Sequence, residues 1–536
     1  MTIITNIVKR NFHRDSVQLL QLSEEAKKIE GIEDAAIVMG TTTNKDILSK
    51  LGLLTGDGKG ASDSDMILAV KAKSQPVSER GLQQIEELIV RPPSKKGRSF
   101  YSFEAALQAI PDANLAIVSV PGEYARDIVL KVLDNGLNVH LFSDHVSEEH
   151  ELELKQYAKQ KGLLVMGPGA GTAIIGGKAI GFANVVRRGS VGIVAAAGTG
   201  LQEVSVLLSE AGLGVSTGLG TGGGDVKAKI GGLMMLQSID VLEQDPETDT
   251  IVVVSKPPDP KVKTQVLDHI AHKTKKRCVT CFLSPESYRV PAAEGRVRGT
   301  KTLHGAFLEG IRNTATRKEA MRKFEIPPSD LTNLATEIAE GLRKEQRYIR
   351  GLYAGGTLAY ESLVILDRLV GKVYSNTPLD PTLKLPDPHK SIKDSIVDLG
   401  EEEFTAGRAH PMIDPTIRKM RLVEEAKDPD VAVIIMDIML GYGSHADPAG
   451  AMLSSVDAAQ KIAHAEGRIL PILAHVCGTE EDPQPLSEQI KKLQSVGVHV
   501  FPTNAMMALA SALVSRRGTI STATFRGIYE DLMGAF

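Results

Sequence analysis

Cysteine is scarce: three in 536 residues, too few for a disulfide framework and suited to a reducing compartment. Tryptophan is absent and aromatics reach only 4%, which argues against the stacked ring platforms that hold single-stranded nucleic acid. No apolar run approaches the roughly 20 residues that cross a bilayer. The opening stretch MTIITNIVKRNFHRDS has no uninterrupted apolar core and no small-residue cleavage site, so no signal peptide is read. A surplus of one charge is missing too. The formal net charge is −4, with no basic excess to draw the chain to nucleic acid or an anionic membrane. These absences point to a cytoplasmic globular protein, and its length allows three or four domains at roughly 150 residues each.

What is plentiful is glycine, fifty residues in clusters. Clustered glycines with few aromatics suit tight strand-to-helix turns that present backbone N–H groups, a phosphate-binding style of α/β protein. Over 1–95, the runs TIITNIVK (2–9), DAAIVMG (34–40) and DMILAVKA (65–72) read as strands. DSVQLLQLSEEAKKIE (15–30) and ERGLQQIEELIV (79–90) have helical spacing between and after them, the order of a small ferredoxin-like α/β domain. RPPSKKGRS (91–99) reads as a linker, because paired prolines cannot continue a helix. From 96 to 186, strands NLAIVSV, LNVHLFS and LLVMG alternate with 10–15-residue helical segments, which predicts a parallel, Rossmann- or flavodoxin-like sheet.

An internal repeat follows. VGIVAAAGTGLQEVSVLL (191–208) is echoed by IRGLYAGGTLAYESLVIL (349–366), and DPETDTIVVVSK (245–256) by DPDVAVIIMDIM (428–439). CVTCFLSP (278–285) is echoed by ILPILAHVCGT (469–479). Three matched elements in one order predict two copies of an open α/β domain, over 187–325 and 326–536. An inserted surface loop is expected in the second copy near 375–400.

Each copy sets a glycine turn between a buried strand and a helix. The first N–H groups of a helix have no internal partner, and the macrodipole adds positive charge there. Gly198, Thr199 and Gly200, and Gly355, Gly356 and Thr357, are therefore the candidate anion cradles, at strand ends where ligands bind in open α/β sheets. Glu203 and Glu361, in the first turns of these helices, read as dipole-compensating caps. The cluster GLGVSTGLGTGGGD (212–225) is either a ligand-wrapping loop or close packing beside the sheet. GPGAGTAIIGG (167–177) is a weak dinucleotide signal, since Pro168 breaks the helix start. Cys278 and Cys281 fall on opposite faces of a strand and read as core; no metal site is expected. Polar loops in the second copy, FTAGRAHPMIDP (404–415), DIMLGYGSHADP (437–448) and HVCGTEEDPQ (475–484), offer Arg408, Asp437, His445, Thr479 and Asp482 as substrate-loop residues. His304, His410 and His475 are the histidine candidates for catalysis.

The series VSVPGEYARDIVLKVLDNG, VMGPGAGTAI, VGIVAAAGTGLQE, STGLGTGGGD and DVLEQDPETDTIVVVSK, in that order across 114–256, resembles the α-subunit of the succinyl-CoA synthetase superfamily. With YAGGTLAYE (353–361), FTAGRAHPMIDP and LGYGSHADP added, the full chain resembles the FdrA family of acyl-CoA-synthetase-like proteins. The resemblance implies two repeated synthetase-like domains and two facing helix starts, holding Gly198, Thr199, Gly356 and Thr357, that bind the phosphate of a phosphohistidine. This chain departs from that pattern. It lacks the glycine turn that opens the CoA-binding domain, the G-H-A-G-A motif (His304 in KTLHGAF is nearest) and an ATP-grasp domain. It also carries Ser255-Lys256-Pro257 where a glutamate is expected. The FdrA resemblance implies a subunit of a hetero-oligomeric transferase that uses carbamoyl phosphate, acts on oxamate and belongs to purine and ureide breakdown, with phosphate or carbamoyl phosphate as ligand. The alternatives are an ADP-forming acyl-CoA synthetase that binds CoA and borrows a nucleotide-binding subunit, and a non-catalytic scaffold.

Overall fold

In the strand β3 (Met66–Ala72) every second side chain packs against a different layer, because the strand is central. It lies between β1 (Ile3–Lys9) and β2 (Ile32–Met39), antiparallel to both. Met66, Leu68 and Val70 face the helices Ser16–Lys27 and Gln75–Val90, while Ile67 and Ala69 pack with Leu48 and Leu53 on the other side. The sheet has three strands where the ferredoxin-like β-α-β-β-α-β pattern has four. In this computed structural model the described residues are 2–534, excepting 13, 15, 91–98, 287–289, 291, 292 and 294. All but the last residue of the expected linker 91–99 is outside them. They form two units: one of Met1–Pro111 with Gly400–Ile417, the other of Asp112–Leu399 with Arg418–Phe536. The FTAGRAHPMIDP segment thus folds with the N-terminal unit, although the sequence reading put it in the second copy.

The larger unit holds three sheets. Strands β4 (Leu115–Val118), β5 (Asn138–Leu141) and β6 (Val165–Met166) form a short parallel sheet. The hairpin β7 (Thr172–Ile175) and β8 (Lys178–Gly181) then joins β9 (Arg188–Ala195), β10 (Val215–Gly220), β11 (Thr250–Val254), β12 (Arg277–Cys281) and β13 (Val297–Thr300). Their order is β13-β12-β11-β9-β10-β7-β8, parallel from β13 to β10. The third sheet contains β14 (Tyr348–Tyr353), β15 (Tyr374–Ser375), β16 (Ser395–Asp398), β17 (Val431–Met439), β18 (Ile472–Cys477) and β19 (His499–Phe501). Its order is β15-β16-β14-β17-β18-β19. Read from the outer strand inward, β13-β12-β11-β9-β10 and β19-β18-β17-β14-β16 are the same winding. Most of the stretch near 375–400, expected as an inserted loop, is irregular connection with a 3-10 turn at Pro381–Leu383, and its end supplies the fully buried β16, which pairs with β14.

The glycine cluster 212–225 is close packing. It forms β10 and a 3-10 turn, Gly223–Val226. Gly222 takes a left-handed φ of +82°, and a Cβ there would lie 2.4 Å from the Pro168 carbonyl. A Cβ at Gly224 would meet the Glu151 carboxylate at 2.2 Å. That closeness completes a buried charge cluster. Lys155 Nζ donates to Glu151 (2.7 Å), to Asp225 (3.0 Å) and to the Thr221 carbonyl (3.0 Å). Asp225 also accepts from Met234 N and Met235 N, capping the helix Leu233–Gln244. Burial pushes the Glu151 carboxyl up in spite of Lys155.

Removing one member of such a cluster leaves uncompensated buried charge, at a cost of about 3–5 kcal/mol. Lys155→Ala is therefore expected to unfold at markedly lower denaturant than the parent chain, whereas Lys229→Ala, in an exposed pair with Glu149, should change stability by about 1 kcal/mol or less. Equal effects of the two substitutions would contradict the assigned role of the cluster.

Candidate functional site

Ala195, the last residue of β9, leads through two alanines into the helix Gly198–Glu210; Tyr353 ends β14 and leads through Ala354 and Gly355 into the helix Gly356–Val370. Small residues permit the helix starts to meet. A Cβ at Gly200 would approach Thr357 Cγ2 to 2.8 Å, and one at Gly355 would approach Thr199 Cγ2 to 3.2 Å. The Thr357 N–H donates to Thr199 Oγ1 at 3.1 Å. All six candidate cradle residues therefore belong to one pair of facing helix starts.

Strand register fixes which residues correspond. Val194 opposes Val253 as Leu352 opposes Met436, so Val254 and Asp437 are equivalent. Val254 opposes Cys281 as Asp437 opposes His475, and Ala195 opposes Gly220 as Tyr353 opposes Asp398. The two starts consequently differ in charge. At the Gly356 helix, Asp437 accepts from Ala354 N (2.8 Å) and Gly355 N (2.6 Å), and Arg418 stands 3.2 Å from the same carboxylate. A Cβ at Gly356 would sit 2.2 Å from Asp398 Oδ2 and 3.3 Å from Lys256 Nζ. Half of the expected second cradle is thus filled by the protein's own carboxylates. At the Gly198 helix the equivalents are Gly220 and Val254, and among the described residues no protein acceptor takes the N–H of Gly198, Thr199 or Gly200. The flanking strands end in Thr221 (after β10) and Ser255 (after β11), whose buried hydroxyls have no partner among the described residues.

Glu203 and Glu361 do more than compensate their own helices. Both are buried and face the opposite repeat. Glu361 accepts from the N–H groups of Leu303 (2.7 Å) and His304 (3.2 Å), which begin the helix Leu303–Gly310, and from Asn504 Nδ2 (2.8 Å). Glu203 pairs with His475 Nε2 at 2.9 Å, and the Asn504 backbone N–H, at the start of the helix Asn504–Arg516, helps hold its carboxyl down. Periodicity showed only that these glutamates lie early in a helix; their partners come from strands far along the chain. Burial raises the Glu361 carboxyl, and Glu203 nearby raises it further. Burial also pushes Glu203 up, but His475 and the surrounding donors bring it below its ordinary value. Burial lowers His475, yet Glu203 outweighs it and the ring's pKa is raised.

His304 is buried against Phe307 with Glu325 3.8 Å away, and neither ring nitrogen has a hydrogen-bond partner among the described residues. Thr479 Oγ1 donates to the Val185 carbonyl, and Asp482 accepts from Asn184 Nδ2, Val185 N and Thr479 N, fastening the β18 loop to 184–185. His445 Nδ1 accepts from Asp447 N beside the helix Pro448–Ala465. Arg408 and His410 lie in the N-terminal unit, where Arg408 bonds Asp414 (2.5 Å) and Asn44 (3.3 Å), and His410 Nδ1 accepts from Met412 N. Cys278 and Cys281 are buried, their thiols pushed up by burial to about 11 and about 12, which keeps them protonated and unreactive.

The Glu203–His475 pair carries a signed pH dependence. The raised His475 value gives stabilisation that is complete below the ordinary 6.5 and drains away as pH rises through the folded-state value. The lowered Glu203 value gives stabilisation that is complete above 4.5 and lost as pH falls through its folded-state value. The stability gap between the parent chain and His475→Gln is expected to reach about 3–5 kcal/mol near pH 5.5 and to shrink toward pH 9, as read by denaturant unfolding. A gap that is flat across that range would refute the ion pair.

The chain is similar to several known proteins. The CoA-ligase family profile matches 352–514, and a profile described as AllF, heavy metal-associated domain, matches 1–103. That second stretch has no cysteine and one histidine, so its residues do not fit a soft-metal site. The succinate–CoA ligase [ADP-forming] α-subunit of Methanothermobacter thermautotrophicus is 30% identical over 172 residues, 31% of this chain and 57% of that protein, so the match spans little more than half of that relative. A solved Ca. Korarchaeum cryptofilum acetyl-coenzyme A synthetase is 15% identical, covering 83% of this chain and 89% of that one at a TM-score of 0.30. The uncharacterized protein YahF of Escherichia coli (strain K12) is 44% identical over 495 residues, 92% of this chain and 95% of YahF. With that identity along nearly its whole length, the chain belongs to the succinyl-CoA-synthetase-like family that includes YahF.

Proposed function

We propose that the chain is a subunit of a transferase that uses an acyl phosphate, with carbamoyl phosphate as donor and an amide such as oxamate as acceptor. The observation that carries this reading is the contrast between the helix starts. Among the described residues the N–H groups of Gly198, Thr199 and Gly200 have no protein acceptor and the Thr221 and Ser255 hydroxyls no partner, whereas at the Gly356 start Asp437 takes the turn N–H groups of Ala354 and Gly355 and Thr199 Oγ1 takes that of Thr357. One built anion site suits the phosphate of a bound substrate. A phosphorylated histidine would need a ring free to reach the site, and His304 and His475 are both buried in regular elements. Catalysis would then consist of positioning and of stabilising the departing phosphate. The subunits named among the relatives support further chains as partners.

A second reading, an ADP-forming CoA ligase subunit, is favoured by the similarity to succinate–CoA ligase α-subunits and by the CoA-ligase profile. It would need CoA and a phosphorylated histidine, most readily His304.

Thermal unfolding with carbamoyl phosphate, phosphate, CoA and ATP–Mg²⁺ in turn separates the two. A ligand at about 100 times its Kd stabilises by about 2.7 kcal/mol. The expected result is a raised midpoint with carbamoyl phosphate or phosphate and none with CoA; a shift with CoA, joined by acid-labile phosphorylation, would transfer the assignment to the ligase. The double variant Thr221→Val, Ser255→Ala should keep the unliganded midpoint while weakening phosphate about 10- to 100-fold, as expected for lost hydrogen bonds to a charged group.

A further inference from the structure

Lys256 and Asp398 meet across the two repeats, and neither has a counterpart of like kind in the other repeat. Two positions beyond the equivalent pair Val254 and Asp437 stand Lys256 and Met439, and Asp398 stands where the first repeat has Gly220. The first repeat builds the same strand–turn–helix without an acid at the end of its second strand, so the fold itself does not require one. Both departures bring charge to one spot. Lys256 Nζ lies 3.9 Å from Asp398 Oδ2 and 5.1 Å from the centroid of the Tyr360 ring, and both charged groups press on the backbone of Gly356. Lys256 is the more accessible, with a third of its side chain exposed, while Asp398 is buried. Lys256 follows Ser255, one of the two buried hydroxyls, without a partner among the described residues, at the ends of the strands that flank β9.

We propose that this pair sorts the charges of the reaction: Lys256 binds the leaving phosphate beside the Gly198 helix start, and Asp398 orients the nitrogen nucleophile and accepts its proton. The inference rests on the acyl-phosphate reading above. In the step it implies, the nitrogen lone pair attacks the acyl carbon and an N–C bond forms. The C–O bond to phosphate breaks, and its electron pair leaves on the phosphate oxygen, facing Lys256 and the helix N–H groups. The nitrogen's proton passes to Asp398 Oδ2 and from there to water. The Lys256 ammonium stands 3.9 Å from the carboxylate that takes the proton.

The two side chains should affect phosphate binding with opposite sign. Calorimetric titration of inorganic phosphate and of carbamoyl phosphate into the full chain is the test, with Lys256→Gln, Lys256→Arg and Asp398→Asn beside the parent. Lys256→Gln is expected to weaken phosphate at least 10-fold and Lys256→Arg to restore most of it. Asp398→Asn should bind phosphate as tightly as the parent or more so, and in the assembled enzyme should bind carbamoyl phosphate without transferring it. Unfolding midpoints without ligand show that each variant is folded, and Asp398→Ser substitutes if Asp398→Asn is not. Phosphate binding by the parent with no change in Lys256→Gln would overturn this inference and leave the acyl-phosphate reading standing. A parent that binds CoA and no phosphate would overturn both.

Discussion

The carboxylates of Glu203 and Glu361 are buried where the repeats meet, and each occupies a helix start belonging to the other repeat. Burying an ionised carboxylate costs several kcal/mol unless charge or hydrogen bonds answer it. Glu203 is answered by the His475 ring, whose pKa it raises, and by the nearby Asn504 N–H. Among the described residues Glu361 takes hydrogen bonds from neutral donors, two backbone N–H groups and one amide, and Glu203 stands near it. Two neighbouring carboxylates resist ionising together, so the pair divides: one settles toward the charged form, the other is pushed toward the protonated form. The exchange also fixes how the Gly198 and Gly356 helices lie, since both glutamates sit on them.

From that arrangement the asymmetry of the helix starts becomes legible. The repeats share winding, strand register and the threonine at the second helical position, so each is a physical control for the other. Where the second repeat has Asp437 and Asp398, the first has Val254 and Gly220, and the same turn forms without them. The carboxylates at the Gly356 start are therefore not demanded by strand or helix. They bring charged pairs to one helix start, Asp437 with Arg418 and Asp398 with Lys256, where the other start has Val254 and Gly220.

Much of the fold could be read from the chain because its signals are local. Glycine turns, strand-length apolar runs and the three ordered echoes sit within short windows, and the parallel sheets follow from them. The facing of the helix starts was readable too, through the family resemblance. What could not be read depends on distant pairing. The Glu203–His475 contact joins residues 272 apart, and nothing in a helix's period points to it. The same is true of Asp437, whose candidacy rested on its loop but whose partners, the Ala354 and Gly355 N–H groups, appear only once β17 lies beside β14. Proline and charge near 375–400 concealed a four-residue buried strand. The glycine cluster left two readings open for the opposite reason: its glycines allow Pro168 and Glu151 to come close, a requirement set by distant neighbours that the local sequence does not display.

Because both repeats lie in one polypeptide, the meeting of the Gly198 and Gly356 helix starts is part of folding rather than of association. The tether keeps each half at a high effective concentration for the other, and dilution cannot separate them. A site assembled from two chains appears and disappears with protomer concentration. This one has its two halves at any concentration at which the unit is folded, so each is free to diverge in charge without having to recognise a second copy of itself. An internal duplication that would otherwise give two equal sites can in this way become one site with two unlike sides.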